Sequence, residues 1–270
     1  MKSEKVIRGP ISEKVSDPIK QVIAATRNEN VWPIEDLPSK YRLYPEGTKL
    51  FGRPLKVPEI KMLATINGEN LNYVLNEVIR RSISGYPIEN LTVADKLYLI
   101  FWLRANTYKD SGYTIDFICP EKTCKTRGKY EFELDSLQIN YLKDSYDENK
   151  VLELPSKRTI KVRQLRVSDE LRVEKFKKQN ANSAQSFDED FLTVASVIYE
   201  LDGKSIGLIE AYDFITNASP EDYAYIVSYI NHFDFGVDPE TPVKCAKCGG
   251  ETTVSVSFRP DFFVPKYKFE

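Results

Sequence analysis

The sequence predicts an α+β protein built from two loosely related modules of short β-hairpins plus helices, joined by a four-cysteine pair of zinc knuckles. Three observations predict it. Hairpin turn signals and helical periodicity alternate along the chain. Two short motifs, LPSK and R-x-L-[KR]-V, occur once in each half, and each half carries two closely spaced cysteines flanked by strand-like sequence.

Residues 1–36 are polar, with one short helical candidate at Pro18–Arg27, and read as an N-terminal arm; arms of this kind order on a partner or not at all. A first module is expected over 37–143. It opens with LPSKYRLYPEGTKLFGRPLKV, where Pro45-Glu46-Gly47 and Gly52-Arg53-Pro54 are turn signals between short extended pieces. Helices follow. Glu69–Ser82 repeats apolar residues at Leu71, Val74, Leu75, Val78 and Ile79, and Thr92–Asn106 does so at Leu97, Tyr98, Ile100, Phe101 and Leu103. Thr92 and Asp95 form a capping box that starts the second helix sharply.

The charged stretch Asp144–Lys150 marks the boundary, and a second module is expected over 151–265. LPSK at Leu37–Lys40 recurs at Leu154–Lys157, and Arg53-Pro-Leu-Lys-Val57 is echoed by Arg163-Gln-Leu-Arg-Val167. Duplication about an approximate two-fold axis is one reading of these echoes, and chance recurrence of short strings is the other. Ser186 with Glu189 predicts a capped helix over Phe191–Tyr199, with the polar loop Asn180–Ser186 before it. Asp202-Gly203 is a turn, Ile206–Ile215 a further helix, and Ser219, Pro220 and Asp222 open a helix that runs to about Asn231. Residues 266–270 form a short C-terminal tail. Phe258 to Phe269 holds five aromatics and two prolines; it either closes over the protein's own core or extends as a docking strand for a partner.

Composition excludes several function classes. With 38 basic and 40 acidic residues the net charge is −2, so nothing draws the chain to nucleic acid as its main partner. The opening residues lack the apolar region of a signal peptide, and no run reaches the length of a membrane helix, so the expected site is the cytosol where the chain is made. There the four cysteines are expected to bind metal or to be buried thiols rather than disulfides.

Cys119-x₄-Cys124 lies between strand-like Tyr113–Ile118 and Lys129–Leu134, and Cys245-x₂-Cys248 precedes strand-like Thr252–Phe258. Two facing knuckles supply four sulfurs in the tetrahedron that one structural Zn²⁺ prefers, with Cys119, Cys124, Cys245 and Cys248 as its ligands. Four thiols without metal are the alternative. Cys248 is followed by Gly-Gly and a strand rather than by the helix that activates a redox thiol, and four thiolates leave no open position for a catalytic water.

The rest of the catalytic inventory is missing. His232 is the single histidine and falls at a helix C-terminus, where it meets the dipole. None of the common nucleotide-binding or hydrolase motifs occurs, and Asp188-Glu189-Asp190 suits a helix start rather than a general acid/base pair. No catalytic residue, no cofactor-binding residue and no small-molecule substrate are expected, and the protein is expected not to be an enzyme. The abundance of Tyr and Phe, 16 and 14 residues, suits protein interfaces as well as cores.

LPSKYRLYPEG with GRPLKVPEIKMLA, LTVADKLYLIFWLRANTYKDSGYTIDFICP and FDFGVDPETPVKCAKCGGETTVSVSFRPDFFVP resemble the baseplate protein family of T-even-type contractile-tailed bacteriophages, which includes the baseplate hub assembly protein. The resemblance covers roughly Leu37 to Pro265. Where the family pattern has C-x-x-C in the first pair, this chain has the longer Cys119-x₄-Cys124. The resemblance implies a structural or assembly component of the hub or wedge region, with other baseplate and tail proteins as partners. It places the chain in the host cytoplasm during assembly and offers the virion tail baseplate as a destination. The competing reading is a zinc-ribbon regulator that binds nucleic acid through Lys122, Lys125, Arg127, Lys129, Lys244 and Lys247.

Overall fold

Each LPSK string folds into the same turn. Lys40 N–H donates to Leu37 C=O, and Lys157 N–H to Leu154 C=O, both at 2.8 Å. Both lysines are left-handed, with φ of 53° and 70°, and both leucines are buried. The computed structural model describes residues 31–108, 113–132, 138–180 and 187–264; the helical candidate at Pro18–Arg27 lies outside them.

Two parallel series of elements grow from these turns. The first runs β1 (Trp32–Ile34), β2 (Leu50–Gly52), α1 (Val57–Leu63), α2 (Leu71–Ser82), β3 (Ile83–Ser84), a 3₁₀ turn at Ile88–Asn90 and α3 (Val93–Thr107). The second runs β7 (Val151–Glu153), β8 (Thr159–Val162), α4 (Val167–Asn180), α5 (Glu189–Val197), β9 (Ile198–Leu201), β10 (Lys204–Ser205), α6 (Leu208–Thr216) and α7 (Pro220–His232). Their sheets are ordered β1-β2-β3 and β7-β8-β9-β10, antiparallel throughout. The architecture is α+β, as the alternating patterns predict.

The second motif explains why each series turns from strand to helix at the same point. Arg53 N–H donates to Ser82 C=O and Arg163 N–H to Val197 C=O, both at 3.0 Å. An acid six residues after each arginine accepts from its guanidinium, Glu59 at 3.0 Å and Asp169 at 2.6 Å. The same acids take the backbone N–H three residues before them, from Lys56 and Arg166, so each fills the N-terminal turn of its helix. The recurrence is therefore one of hydrogen-bond pattern, and chance strings do not account for it.

The two halves do not close about a full two-fold. Leu91–Val93 of the first series lies against Leu165–Val167 of the second, yet the reciprocal segments Leu55–Val57 and Ala218–Pro220 share no backbone hydrogen bond among the described residues. Lys96–Glu170, and Asn72 to Glu174 at 2.9 Å, flank this contact.

Two hydrophobic cores fill the two series. Leu50, Leu63, Leu75, Ile79 and Leu99 belong to the first, and Leu154, Ile160, Leu192, Ala211 and Ile226 to the second. A third, small cluster of Leu142, Tyr146, Phe233 and Phe235 packs the charged Asp144–Lys150 stretch onto the end of α7. Tyr199 hydroxyl donates to Glu148 C=O at 2.7 Å and Arg166 pairs with Glu148, so this stretch is docked.

Several sequence expectations shift. Leu37–Tyr44 forms successive turns rather than an extended piece, because the LPSK turn places Lys40 and Tyr41 at positive φ. Strand β1 lies within the stretch read as arm, and its Ile34 is buried. Ser186 is outside the described residues, and Asp188 caps α5 by accepting from the N–H groups of Asp190 and Phe191, which makes Glu189 the first helical residue. Around α6, Gly207 stands at the cap and Glu210 accepts its N–H at 2.8 Å. Thr92 and Ser219 cap α3 and α7 as expected, accepting from Asp95 and Asp222.

Gly85 ends β3 at φ 106°, and a Cβ there would fall on the carbonyl oxygen of Lys49. Gly85→Ala is expected to destabilise the protein by roughly 2 kcal/mol, since both strain and a backbone clash arise. Denaturant unfolding measures this, and an unchanged midpoint would remove the argument.

A candidate metal centre

Two hairpins carry the cysteines. β4 (Tyr113–Ile118) pairs with β5 (Arg127–Phe132), and β12 (Glu240–Lys244) with β13 (Glu251–Ser255). β12 is a strand the sequence reading missed, because Pro242 breaks its strand-like pattern. β6 (Gln138–Asn140) and β11 (Gly236–Asp238) pair across the two halves and carry the hairpins toward each other.

Each hairpin ends in a knuckle. In the first, Cys119 N–H donates to Thr126 C=O at 2.9 Å and Cys124 N–H to Glu121 C=O at 3.0 Å, with Lys125 left-handed. In the second, Cys245 N–H donates to Gly250 C=O and Gly249 N–H to Cys245 C=O, both at 2.8 Å, with Gly249 at φ 74°. Both turns fold the chain so that its two sulfurs face the same side.

All four Sγ atoms lie within 4.8 Å of one another. Cys119 Sγ is 3.5 Å from Cys248 Sγ, and Cys124 Sγ is 3.8 Å from Cys245 Sγ. Four sulfurs about 2.3 Å from a zinc ion span edges of about 3.8 Å, so the donor set and its spacing fit such an ion. The four cysteines could hold a metal ion, and they are the one His/Cys/Asp/Glu cluster of this kind among the described residues. Gly250 lets the chain pass close to the site: a Cβ there would lie 2.7 Å from Glu121 Cγ, which would have to move aside, and 3.5 Å from Cys119 Sγ.

The thiols are not equivalent. Hydrogen bonding from the Thr126 hydroxyl and backbone holds Cys124 down to about 6. The amides of Cys248 and Lys247 lower Cys245. Burial pushes Cys119 up to about 12. Cys248 is raised as well: the Gly250 amide pulls it down, but neighbouring thiols and burial outweigh that. A cation removes the remaining protons outright.

The site is braced by the chain that leaves it. From β13 the backbone runs through Val256 and Phe258 into α8 (Pro260–Phe263), where Phe262 and Phe263 are buried in the first core. Phe262 meets Tyr113 edge-on at 5.2 Å and Phe101 at 5.7 Å. Arg104, itself buried, donates through Nε to Phe262 C=O at 2.6 Å. Of the two readings of the aromatic tail, closure over its own core describes it as far as residue 264. Pro260 opens a helix at its first turn rather than keeping the segment extended.

The other candidates are not brought together. His232 ends α7, exposed, with its Nδ1 3.4 Å from Lys143 Nζ. Asp188 is occupied as a cap. Lys122, Lys125, Arg127, Lys129, Lys244 and Lys247 are exposed around the knuckles, but Glu251 pairs with Lys244 at 3.0 Å and Glu121 sits at the rim, which breaks the basic face. No helix of the described residues is long and apolar enough to cross a membrane.

Comparison with known protein families matches residues 36–264 to the model described as T4 bacteriophage base plate protein. No curated protein and no solved structure matches the chain.

Proposed function

The chain belongs to the T4 bacteriophage base plate protein family, and on that premise we propose that it serves the hub or wedge region of the baseplate as a non-enzymatic component or assembly factor. It acts by binding other baseplate and tail proteins. The observation that carries this reading is the extent of the family match, which takes in both series of elements and both cysteine pairs.

In this reading 37–143 and 151–265 are the two modules, flanked by an arm at 1–36 and a tail at 266–270. One structural zinc ion sits on Cys119, Cys124, Cys245 and Cys248. With four thiolate ligands such an ion has no vacancy for water or substrate, so it supplies rigidity. Assembly takes place in the host cytoplasm, and the partners are proteins rather than nucleic acid or small molecules. The interleaved acids at the knuckles support this over a nucleic-acid regulator. Oligonucleotide binding that falls steeply with salt would favour the regulator instead.

The test is quantitative mass spectrometry of purified phage particles beside infected-cell lysate, with cross-linking in both. Cross-links to baseplate proteins are expected. A fixed low copy number in particles identifies a structural component, and presence in lysate alone identifies an assembly factor. Association with no tail protein in either sample overturns the proposal.

A further inference from the structure

The two halves of the chain touch through unlike surfaces. Leu91–Val93, which leads into α3, lies antiparallel to Leu165–Val167, which leads into α4, with Thr92 opposite Arg166. Val93 N–H donates to Leu165 C=O at 2.8 Å, and Val167 N–H to Leu91 C=O at 2.9 Å. Leu91, Lys96 and Val167 are buried there, and Lys96 pairs with Glu170.

Each surface has a counterpart in the other half, fixed by the shared hydrogen bonds. Thr92 and Asp95 correspond to Ser219 and Asp222, so Leu91–Val93 corresponds to Ala218–Pro220. Arg53 and Glu59 correspond to Arg163 and Asp169, so Leu165–Val167 corresponds to Leu55–Val57. Lys56, Val57, Ser219 and Pro220 are all exposed. Val57 is 64% exposed where Val167 is 0%. α8 packs on α1 without covering Val57.

A contact between unlike surfaces, used once within a chain, leaves one surface of each kind over, and these two complement each other only between copies. We infer that a second copy of this chain docks its Ala218–Pro220 segment onto Leu55–Val57, head to tail, by repeating the internal contact.

Most residue changes between the halves are conservative, although the buried Leu91 is shortened to Ala218. Leu55, Lys56 and Val57 stand for Leu165, Arg166 and Val167, and Ser219 stands for Thr92. The Lys96–Glu170 ion pair is replaced on both sides at once, by Tyr223 and Ile60, so no charge is stranded. One hydrogen bond is lost because Pro220 has no N–H. The other runs from Val57 N–H, which as a first-turn amide has no acceptor within its helix, to Ala218 C=O. The contact between copies is therefore weaker than the internal one, and its occupancy depends on concentration.

The test uses the full metal-loaded chain in sedimentation from micromolar to millimolar, with benzoylphenylalanine placed at position 57 for cross-linking. The mass is expected to rise above 31.1 kDa with concentration, and photo-cross-links from position 57 are expected to reach the peptide around Ser219 of another copy. Val57→Glu should weaken association by about tenfold or more, since it buries an unpaired charge at the contact. The same change leaves melting unaltered, because an acid suits the first turn of an exposed helix. A mass of one chain at every concentration, cross-links elsewhere, or undiminished association of Val57→Glu each overturn the inference.

Discussion

Replacing Cys245 with serine, or removing metal with a strong chelator, is expected to cost at least ~3 kcal/mol of stability, because binding energy at a structural zinc is folding energy. The figure lies below the roughly 10–16 kcal/mol seen for isolated zinc-finger peptides, since both halves have apolar cores of their own. The effect is expected to be local before it is global. Cys119 and Cys248 close a long loop, and the chain beyond Cys248 leads into Phe258, Phe262 and Phe263 over Phe101 and Tyr113. Loss of the metal should therefore loosen the aromatic closure of the first core ahead of the second. Melting, metal content and thiol labelling, read together, check this. In the native protein the thiols should label slowly until chelator is added. Full metal-free material that melts like the native protein would show that the four cysteines are only packed thiols, and the proposed zinc would go with it.

How far the sequence could be read follows from the range of each interaction. The knuckles were legible because each is closed by bonds a few residues apart, such as Cys124 N–H to Glu121 C=O, and because spacing of this kind is specific. Helices α3 and α7 were legible for the same reason, their caps and N3 acids being written three residues apart. Strands of two or three residues carry too little periodicity to be seen, so β1 and β3 were missed, and Pro242 hid the longer β12. The LPSK and R-x-L-[KR]-V echoes were visible as letters, but their meaning depended on partners such as Ser39 with Asp95, 56 residues apart. The tail had two open readings because the residue that decides between them, buried Arg104, lies far away in α3.

The duplicated carboxylates lead to the second large effect. Asp95 Oδ1 accepts Ser39 N–H at 3.0 Å, while Oδ2 accepts the hydroxyls of Thr92, at 3.0 Å, and Tyr44. The group is fully buried, and burial holds its carboxyl above the usual range while these donors draw it back. Burial, with the Asp95 charge beside it, likewise raises Tyr44. Asp95→Ala leaves the Ser39 amide and one hydroxyl proton without an acceptor where water is excluded, because the Tyr44 and Thr92 hydroxyls, 3.3 Å apart, can bond each other in one direction only. Each costs about 1–3 kcal/mol, and shared neighbours make the sum less than additive. A loss of about 3–5 kcal/mol is expected. Asp95→Asn keeps an oxygen for Ser39 and presents an amide to hydroxyls that can rotate to accept it, so a loss nearer ~1 kcal/mol is expected. Asp222 accepts the equivalent Ser156 N–H at 3.0 Å, and among the described residues no buried hydroxyls converge on its carboxylate as they do on that of Asp95. Asp222→Ala should therefore cost about 1–2 kcal/mol. Denaturant unfolding of the three variants should place Asp95→Ala lowest, and an Asp222→Ala loss equal to it would mean that the turn contact, rather than the added hydroxyls, sets the strength of both.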